Sequence, residues 1–338
     1  MNPPTLKELS DLKSGETGIF FARLAEKYRQ LTRDKKAYFV CKFTDTKRTV
    51  GALFWADGRL FPYVERDWEV GQFFKIVADY VENPRFGPQL EVQKIRLVEE
   101  KDFAEGFDPK RYQLIARSDP ELAYQQLVEL VQAEIADPPF QHLVLSILQT
   151  HQQLLKVLPG SRHRYYPFPG GWLEHTLRVS QHAALLGHRY REIYNELQPP
   201  LNVELIVAGA VLHDIGRVLE LKPADVPDAP AEQTIDGVLL GHAMLAHDLV
   251  RDAARTIENL HPERVRLLLH IIASYLKLPE WGSPRLPNIP EVLVIHHLDD
   301  LDAKMEMYCR CLTKDVSAGP FTERDPNLMA LLYRDREV

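Results

Sequence analysis

Cysteine is scarce: Cys41, Cys309 and Cys311 are the only three in 338 residues. So small and odd a number makes no disulfide framework, which leaves burial of apolar surface to hold the fold. Cys309 and Cys311 form a C-x-C inside a helical pattern, and the lack of a second cysteine pair weighs against a thiolate metal site. No window approaches the ~18 uninterrupted apolar residues of a membrane span. The opening Met1-Asn2-Pro3-Pro4 lacks the basic and apolar regions of a secretory signal. No internal repeat or low-complexity tract is present. These absences lead us to expect a cytoplasmic protein with no membrane partner, and they leave a homo-oligomer open. What is there, 45% hydrophobic and 26% charged residues, is the balance of an ordinary globular chain of about two domains.

Charge is unevenly spread. The net charge is −7, yet residues 1–100 hold 17 Lys and Arg against 15 Asp and Glu, and the remainder holds 24 against 33. Overall acidity argues against indiscriminate coating of nucleic acid but permits a local basic surface.

The first hundred residues read as five strands: TGIFFARLAEKY, KAYFVCKFTD, TVGALFWAD, QFFKIVADYV and QLEVQKIRLV. Turn chemistry separates them, as at Asp57-Gly58 and along Asn83-Pro84-Arg85-Phe86-Gly87-Pro88. The longer connection after the third has room for a short helix. This pattern fits a small OB-like Greek-key barrel, and a generic five-stranded sheet fits it nearly as well. Residues 101–118 read as a linker. Asp119-Pro120 then offers a capping side chain followed by proline at the first helical position. From there, apolar residues recur at three- and four-residue spacing through seven helical segments. The expected architecture is two-domain: an OB-fold-like barrel at 1–100, the linker, and an all-helical domain at 119–338.

Several of these apolar helices carry ionisable residues. His213-Asp214 sits in AGAVLHDIGRVLEL, His175 in GGWLEHTLRV, Asp299 in VLVIHHLDDLDAK, and His242 follows Leu239-Leu240-Gly241. Burying such groups costs free energy unless something pairs with them. A divalent cation is one such partner, since His and Asp suit Zn, Mn or Fe. A lone HD dipeptide is ordinarily an exposed helix end. Four helices that each project His or Asp point instead to one shared site between them.

The order of these motifs resembles the HD superfamily of metal-dependent phosphohydrolases. Within it, the chain resembles bacterial 3′-to-5′ exoribonucleases of the YhaM type, in which an OB-fold precedes the HD domain. GGWLEHTLRV is similar to that family's GGLLEHTLSV, AGAVLHDIGRVLEL to AGALLHDIGKIEEL, DGVLLGHAML to EGRLLGHIVL, EWGSPRLP to EFGSPVRP, and HHLDDLDAKM to HYIDNLDAKM. The likeness covers about residues 140–310 and extends more loosely to ALFWAD and QLEVQKIRL.

The resemblance implies that His175, His213, Asp214 and Asp299 hold a divalent metal: Mn, or alternatively Fe, Zn, Mg or Ni. It implies catalytic roles for Asp214, Arg217, His242, His270 and Lys304. His242 matches a ligand of the second metal in two-metal members. Arg217 stands where the family usually has lysine, which keeps the charge and changes the hydrogen-bond geometry. Lys304 either neutralises a phosphate oxygen or pairs with Asp300. Asp302 either orients a metal ligand or packs nearby.

Two departures stand out. Ser274-Tyr275-Leu276-Lys277 replaces the family's S-H-H-G, and YYPFPGG follows His163 where paired histidines often precede the GG motif. The lost S-H-H-G pair normally helps to hold the second metal or the substrate phosphate, so one tightly held metal is expected. His182, seven residues after His175, points roughly the same way as a candidate helper. His151, His188 and His247 read as surface or helix-end residues, and one of His296 and His297 as a core residue.

In the first domain, residues 27–48 interleave Lys27, Arg29, Arg33, Lys35, Lys36, Lys42, Lys47 and Arg48 with Tyr28, Tyr38, Phe39 and Phe43. Lys35, Lys36, Tyr38, Lys42 and Arg48 are the candidate contacts to nucleic acid, by phosphate neutralisation and base stacking. The alternative is that the aromatics fill the barrel and the cations form a solvated loop; the alternation of YFVCKF points about half of its side chains inward. The expected function is a metal-dependent phosphodiesterase, a 3′-to-5′ exoribonuclease on single-stranded RNA, with single-stranded DNA as a further candidate substrate, releasing nucleoside 5′-monophosphates. The alternatives are a phosphohydrolase of nucleotides or small phosphate esters, and a catalytically weakened nucleic-acid-binding or regulatory protein.

Overall fold

The computed structural model describes residues 6–32, 34–45, 47–83, 87–112, 116–223, 231–315, 319–322, 324–325 and 327–334. Arg33, the Pro84-Arg85-Phe86 part of the expected turn and the opening Met1–Pro4 lie outside them. The chain divides into two compact units. One holds Met1–Leu114 and the C-terminal residues from Tyr308, and the other holds Ile115–Ala224 and Pro230–Met307. Among the described residues, no helix is long and apolar enough to cross a membrane.

All five expected strands form: β1 (Glu16–Leu31), β2 (Ala37–Thr44), β3 (Thr49–Trp55), β4 (Phe73–Asn83) and β5 (Gly87–Leu97). They close in the order β1-β2-β3-β5-β4, with β3 and β5 parallel and the other pairs antiparallel. That is an OB-like Greek-key barrel. The expected short helix is α1 (Phe61–Arg66). Period-two alternation sends Phe39, Cys41 and Phe43 of β2 inward against Phe20, Phe74 and Ile76. Trp68 packs edge-on against Phe54 at 5.1 Å.

The stretch read as a linker has structure of its own, and this corrects the expectation. It contains α2 (Glu100–Ala104), opened by a reciprocal capping box between Glu99 and Asp102. Asp102 is buried and accepts two bonds from Arg96, at 2.6 and 2.7 Å, which hold its carboxyl well below the usual range despite burial. Phe107 and Tyr112 pack with Phe21. Of the charges that suggest a linker, Asp102 is buried, while Lys101, Glu105 and Arg111 stay at the surface in ion pairs with Glu99, Lys75 and Glu8.

The helical unit contains α3 (Pro120–Glu134), α4 (Pro138–Leu155), α5 (Gly171–Ile193), α6 (Val203–Leu212), α7 (Arg217–Glu220), α8 (Ile235–Ala254), α9 (Pro262–Ser274) and α10 (Pro290–Lys314), the last of which runs past Met307. The Asp119 side chain caps α3 as expected, accepting from the Glu121 N–H. The segment 203–221, expected as one helix, breaks at His213–Gly216 into α6 and α7. Close packing explains the glycine there: a Cβ on Gly216 would lie 1.9 Å from the His242 carbonyl oxygen. Gly241 kinks α8 in a left-handed conformation (φ 73°) immediately before His242.

Candidate metal centre

His213 ends α6, so its ring leaves the apolar helix at the break. Its Nδ1 lies 2.7 Å from the Ala210 carbonyl, which only accepts, so Nδ1 carries the proton and Nε2 presents a lone pair. That Nε2 is buried and has no hydrogen-bond partner. Leaving such a group unmet costs about 1–3 kcal/mol. The nearest carboxylate oxygen, Asp299 Oδ1, stands at 3.7 Å and is itself an acceptor when ionised.

His175 projects from α5 with no exposed surface. Its Nδ1 is 2.8 Å from Asp302 and its Nε2 is 3.1 Å from Asp299, both on α10. Burial disfavours the charged ring, but the hydrogen bonds and charges of these carboxylates outweigh it and raise the pKa to about 9. Burial likewise opposes ionisation of Asp299, and the two histidines hold it below the usual carboxylate range.

One donor atom each from His175, His213 and Asp299 lie within 4.8 Å of one another. Two imidazoles and a carboxylate suit a divalent transition metal, and the unpartnered Nε2 of His213 is the atom that a cation would satisfy. The residues therefore fit a metal.

Asp214 is differently placed. Its Oδ1 accepts from the Tyr275 hydroxyl at 2.7 Å and its Oδ2 from the Tyr165 hydroxyl at 3.0 Å, with Arg217 Nε 3.4 Å from Oδ2. It is not among the three converging donors. Burial favours the neutral acid, but Arg217 and the nearby histidines, His242 first, hold it well below the usual range. Burial and the Asp214 and Asp299 charges push the Tyr275 phenol well above its ordinary range, so it is a neutral donor. With that proton committed to Asp214, the Nε2–H of His242 donates to the Tyr275 oxygen at 2.8 Å. His242 then offers no lone pair at Nε2. The indole N–H of Trp172 bonds the Asp214 carbonyl at 3.0 Å and fixes the turn.

Arg217 is committed to Glu220 (2.5 Å), Tyr165 (3.1 Å) and Asp214. Lys304 pairs with Asp300 at 2.7 Å and lines a cavity of about 460 Å³ that also exposes Asp299, Arg217, His242, Arg164 and Trp281. Of the two roles left open for Asp302, the contact to His175 Nδ1 favours orientation of a ligand. His270 does not join the group: its Nε2 accepts from the Asn288 backbone, and it is absent from the cavity wall. His182 is exposed, and His296 is the buried member of its pair. Cys309 is exposed and Cys311 half-buried, both free.

Tyr165, Tyr275 and Glu220 are site residues that sequence reasoning did not place there. For the tyrosines a signal existed. Each stands at one of the two departures from the histidine patterns of the family that the sequence resembles.

On the barrel, the guanidinium of Arg48 bonds the Leu9 and Leu12 carbonyls at 3.1 and 2.6 Å, which corrects its expected role. Lys36 and Lys42 pair with Asp57 and Glu26, each at 2.8 Å, and Lys35 is exposed. Tyr38 faces outward and stacks on Trp55 at 4.8 Å. Trp55, 40% exposed, was not anticipated as a surface residue.

Among solved structures, the chain is similar to a domain of replication protein A from Methanococcus maripaludis, with 14% identity and a TM-score of 0.23, over 28% of this chain and 96% of that one. It is also similar to Entamoeba histolytica asparaginyl-tRNA synthetase, at 9% identity and a TM-score of 0.22, over 43% of this chain and 35% of that one. A third match is RecG bound to a three-way DNA junction, at 13% identity and 0.24, over 57% of this chain and 26% of that one. Residues 172–304, which contain His175, His213, Asp214, His242 and Asp299, match the family model of the HD domain, a family of metal-dependent phosphohydrolases.

Proposed function

We propose that this protein is a metal-dependent phosphodiesterase acting on single-stranded nucleic acid, with RNA shortened from its 3′ end as the preferred reaction. The observation that carries the metal is the buried, unpartnered Nε2 of His213 facing His175 and Asp299. A divalent ion held by these three residues would supply an acidified water and polarise a phosphoryl oxygen. Asp302 fixes the ring of His175 through Nδ1, so that Nε2 faces the other donors. Arg164 and Lys304 on the cavity wall provide positive charge for phosphate oxygens. The YhaM-type likeness supports the 3′-to-5′ polarity and a nucleoside 5′-monophosphate product.

The polymer reading draws on the barrel. Tyr38 and Trp55 make an outward aromatic surface flanked by Lys36 and Lys42, and stacking on such a surface tolerates any base. Exposed ion pairs such as Lys36–Asp57 contribute little and open readily to a phosphate. Incubation with 5′-labelled single-stranded RNA in Mn²⁺ tests the reading. A ladder that shortens from the 3′ end, and stops with EDTA, is expected. RNA left intact in Mn²⁺ would defeat it. Trp55→Ala should weaken RNA affinity by about 1–3 kcal/mol.

One observation favours a second reading, a nucleic-acid-binding protein with weakened chemistry. Both carboxylate oxygens of Asp214 are occupied by tyrosine hydroxyls. An ion at Asp214 would have to share a carboxylate oxygen already engaged by a hydroxyl.

A further inference from the structure

Trp281 lines the cavity that also exposes Asp299, and it remains 54% exposed. Single exposed aromatics are common on protein surfaces, so exposure alone carries nothing. Three further features set this one apart. Its ring stacks on the imidazole of His296, with centroids 5.9 Å apart and planes 22° from parallel. That imidazole is buried, and its Nδ1–H bonds the Tyr275 carbonyl at 2.8 Å, so the layer beneath the indole is held in place. The loop is also pinned. The N–H groups of Trp281 and Ser283 bond the Leu278 carbonyl at 3.0 and 3.2 Å, and the Ser283 hydroxyl bonds the Arg285 carbonyl at 2.7 Å. Left-handed residues at Lys277 (φ 68°) and Gly282 (φ 94°) set the turn on either side.

The rest of the wall says what the indole faces. Arg164, Arg217 and Lys304 stand among Glu280, Asp299 and Asp300, three cations against three carboxylates, and a divalent ion would tip the wall toward positive charge. The wall then offers cationic groups to an anion and one flat aromatic face to an apolar ring. About 460 Å³ falls within the range of roughly 300–1,000 Å³ usual for small-ligand sites.

We propose that Trp281 is a stacking platform for a nucleobase, so that the site accepts a nucleotide with its base on the indole and its phosphate toward Arg164, Lys304 and the metal donors. This rests on the phosphodiesterase reading and names the residue of that site that holds the base. Stacking reads the face common to all bases, so the platform confers little sequence preference.

The test compares AMP with ribose 5-phosphate, which shares the phosphate and lacks the base, as ligands of the full-length protein in Mn²⁺. Calorimetry should show AMP binding more tightly by on the order of tenfold or more. Trp281→Leu should erase that difference while leaving ribose 5-phosphate affinity and metal content unchanged, and Trp281→Phe should restore most of it. Equal affinity of the two ligands for the native protein, or a difference that survives Trp281→Leu, overturns the proposal. Failure of AMP to bind the native protein overturns it too. The RNA ladder assay judges the phosphodiesterase reading separately in every case.

Discussion

His213 and Asp214 are neighbours in sequence and opposites in chemistry. The imidazole is buried with an unmet lone pair, while the carboxylate beside it has a hydroxyl on each oxygen and a guanidinium at 3.4 Å. On the His213 side, His175, His213 and Asp299 make a group that is incomplete as it stands. On the Asp214 side, Tyr165, Tyr275, Arg217, Glu220 and His242 close a network of their own. Buried polar groups lacking partners are rare in folded proteins, so the first side marks where an ion belongs. On the second side the buried groups of the polypeptide meet one another.

The largest effect expected from this contrast comes from the incomplete side. Asp299→Ala or His213→Ala should reduce bound metal and RNA hydrolysis to background, as read by metal analysis and the ladder assay. Retention of the ion in both variants would dissolve the distinction. Asp302→Asn should weaken metal affinity about 10–100-fold, because the carboxylate fixes the His175 ring that presents Nε2.

The closed side should respond in stability. Tyr275→Phe leaves Asp214 Oδ1 and His242 Nε2 without their hydroxyl, and should cost about 1–3 kcal/mol in denaturant unfolding without lowering metal content. Replacing Tyr275→His together with Leu276→His should raise metal stoichiometry if those two side chains alone close the second site.

The last expected effect is a pH slope. The folded pKa of His175, about 9, lies above its ordinary 6.5, so the charged ring stabilises the metal-free fold. That contribution is complete below pH 6.5 and is lost as pH rises through 9. The Tm of metal-free protein should therefore fall over that window, and the metal-saturated protein should lack this component of the slope. Metal uptake at pH 7 should release the His175 proton, measurable by calorimetry in buffers of different ionisation enthalpy.

Much of this was legible beforehand. Five β-rich runs became five strands because alternation such as Phe39, Cys41 and Phe43 specifies an inward face regardless of partners. Asp119-Pro120 started a helix because capping is local. His175, His213 and Asp299 were readable because ionisable residues in apolar helices demand a partner. The break at His213–Gly216 was hidden, since the contact of Gly216 with the His242 backbone is tertiary. For the same reason Arg48 read as a surface cation while its guanidinium serves the Leu9 and Leu12 carbonyls. Tyr165 and Tyr275 were visible only as missing histidines. That a phenol from each would meet Asp214 depends on distant segments folding onto one turn.

Metal content of the purified, desalted protein tests the contrast most directly. Close to one equivalent per chain is expected, held by His175, His213 and Asp299. Two equivalents retained through desalting would mean that Tyr275 yields Asp214 and His242 to a second ion, and would contradict the account.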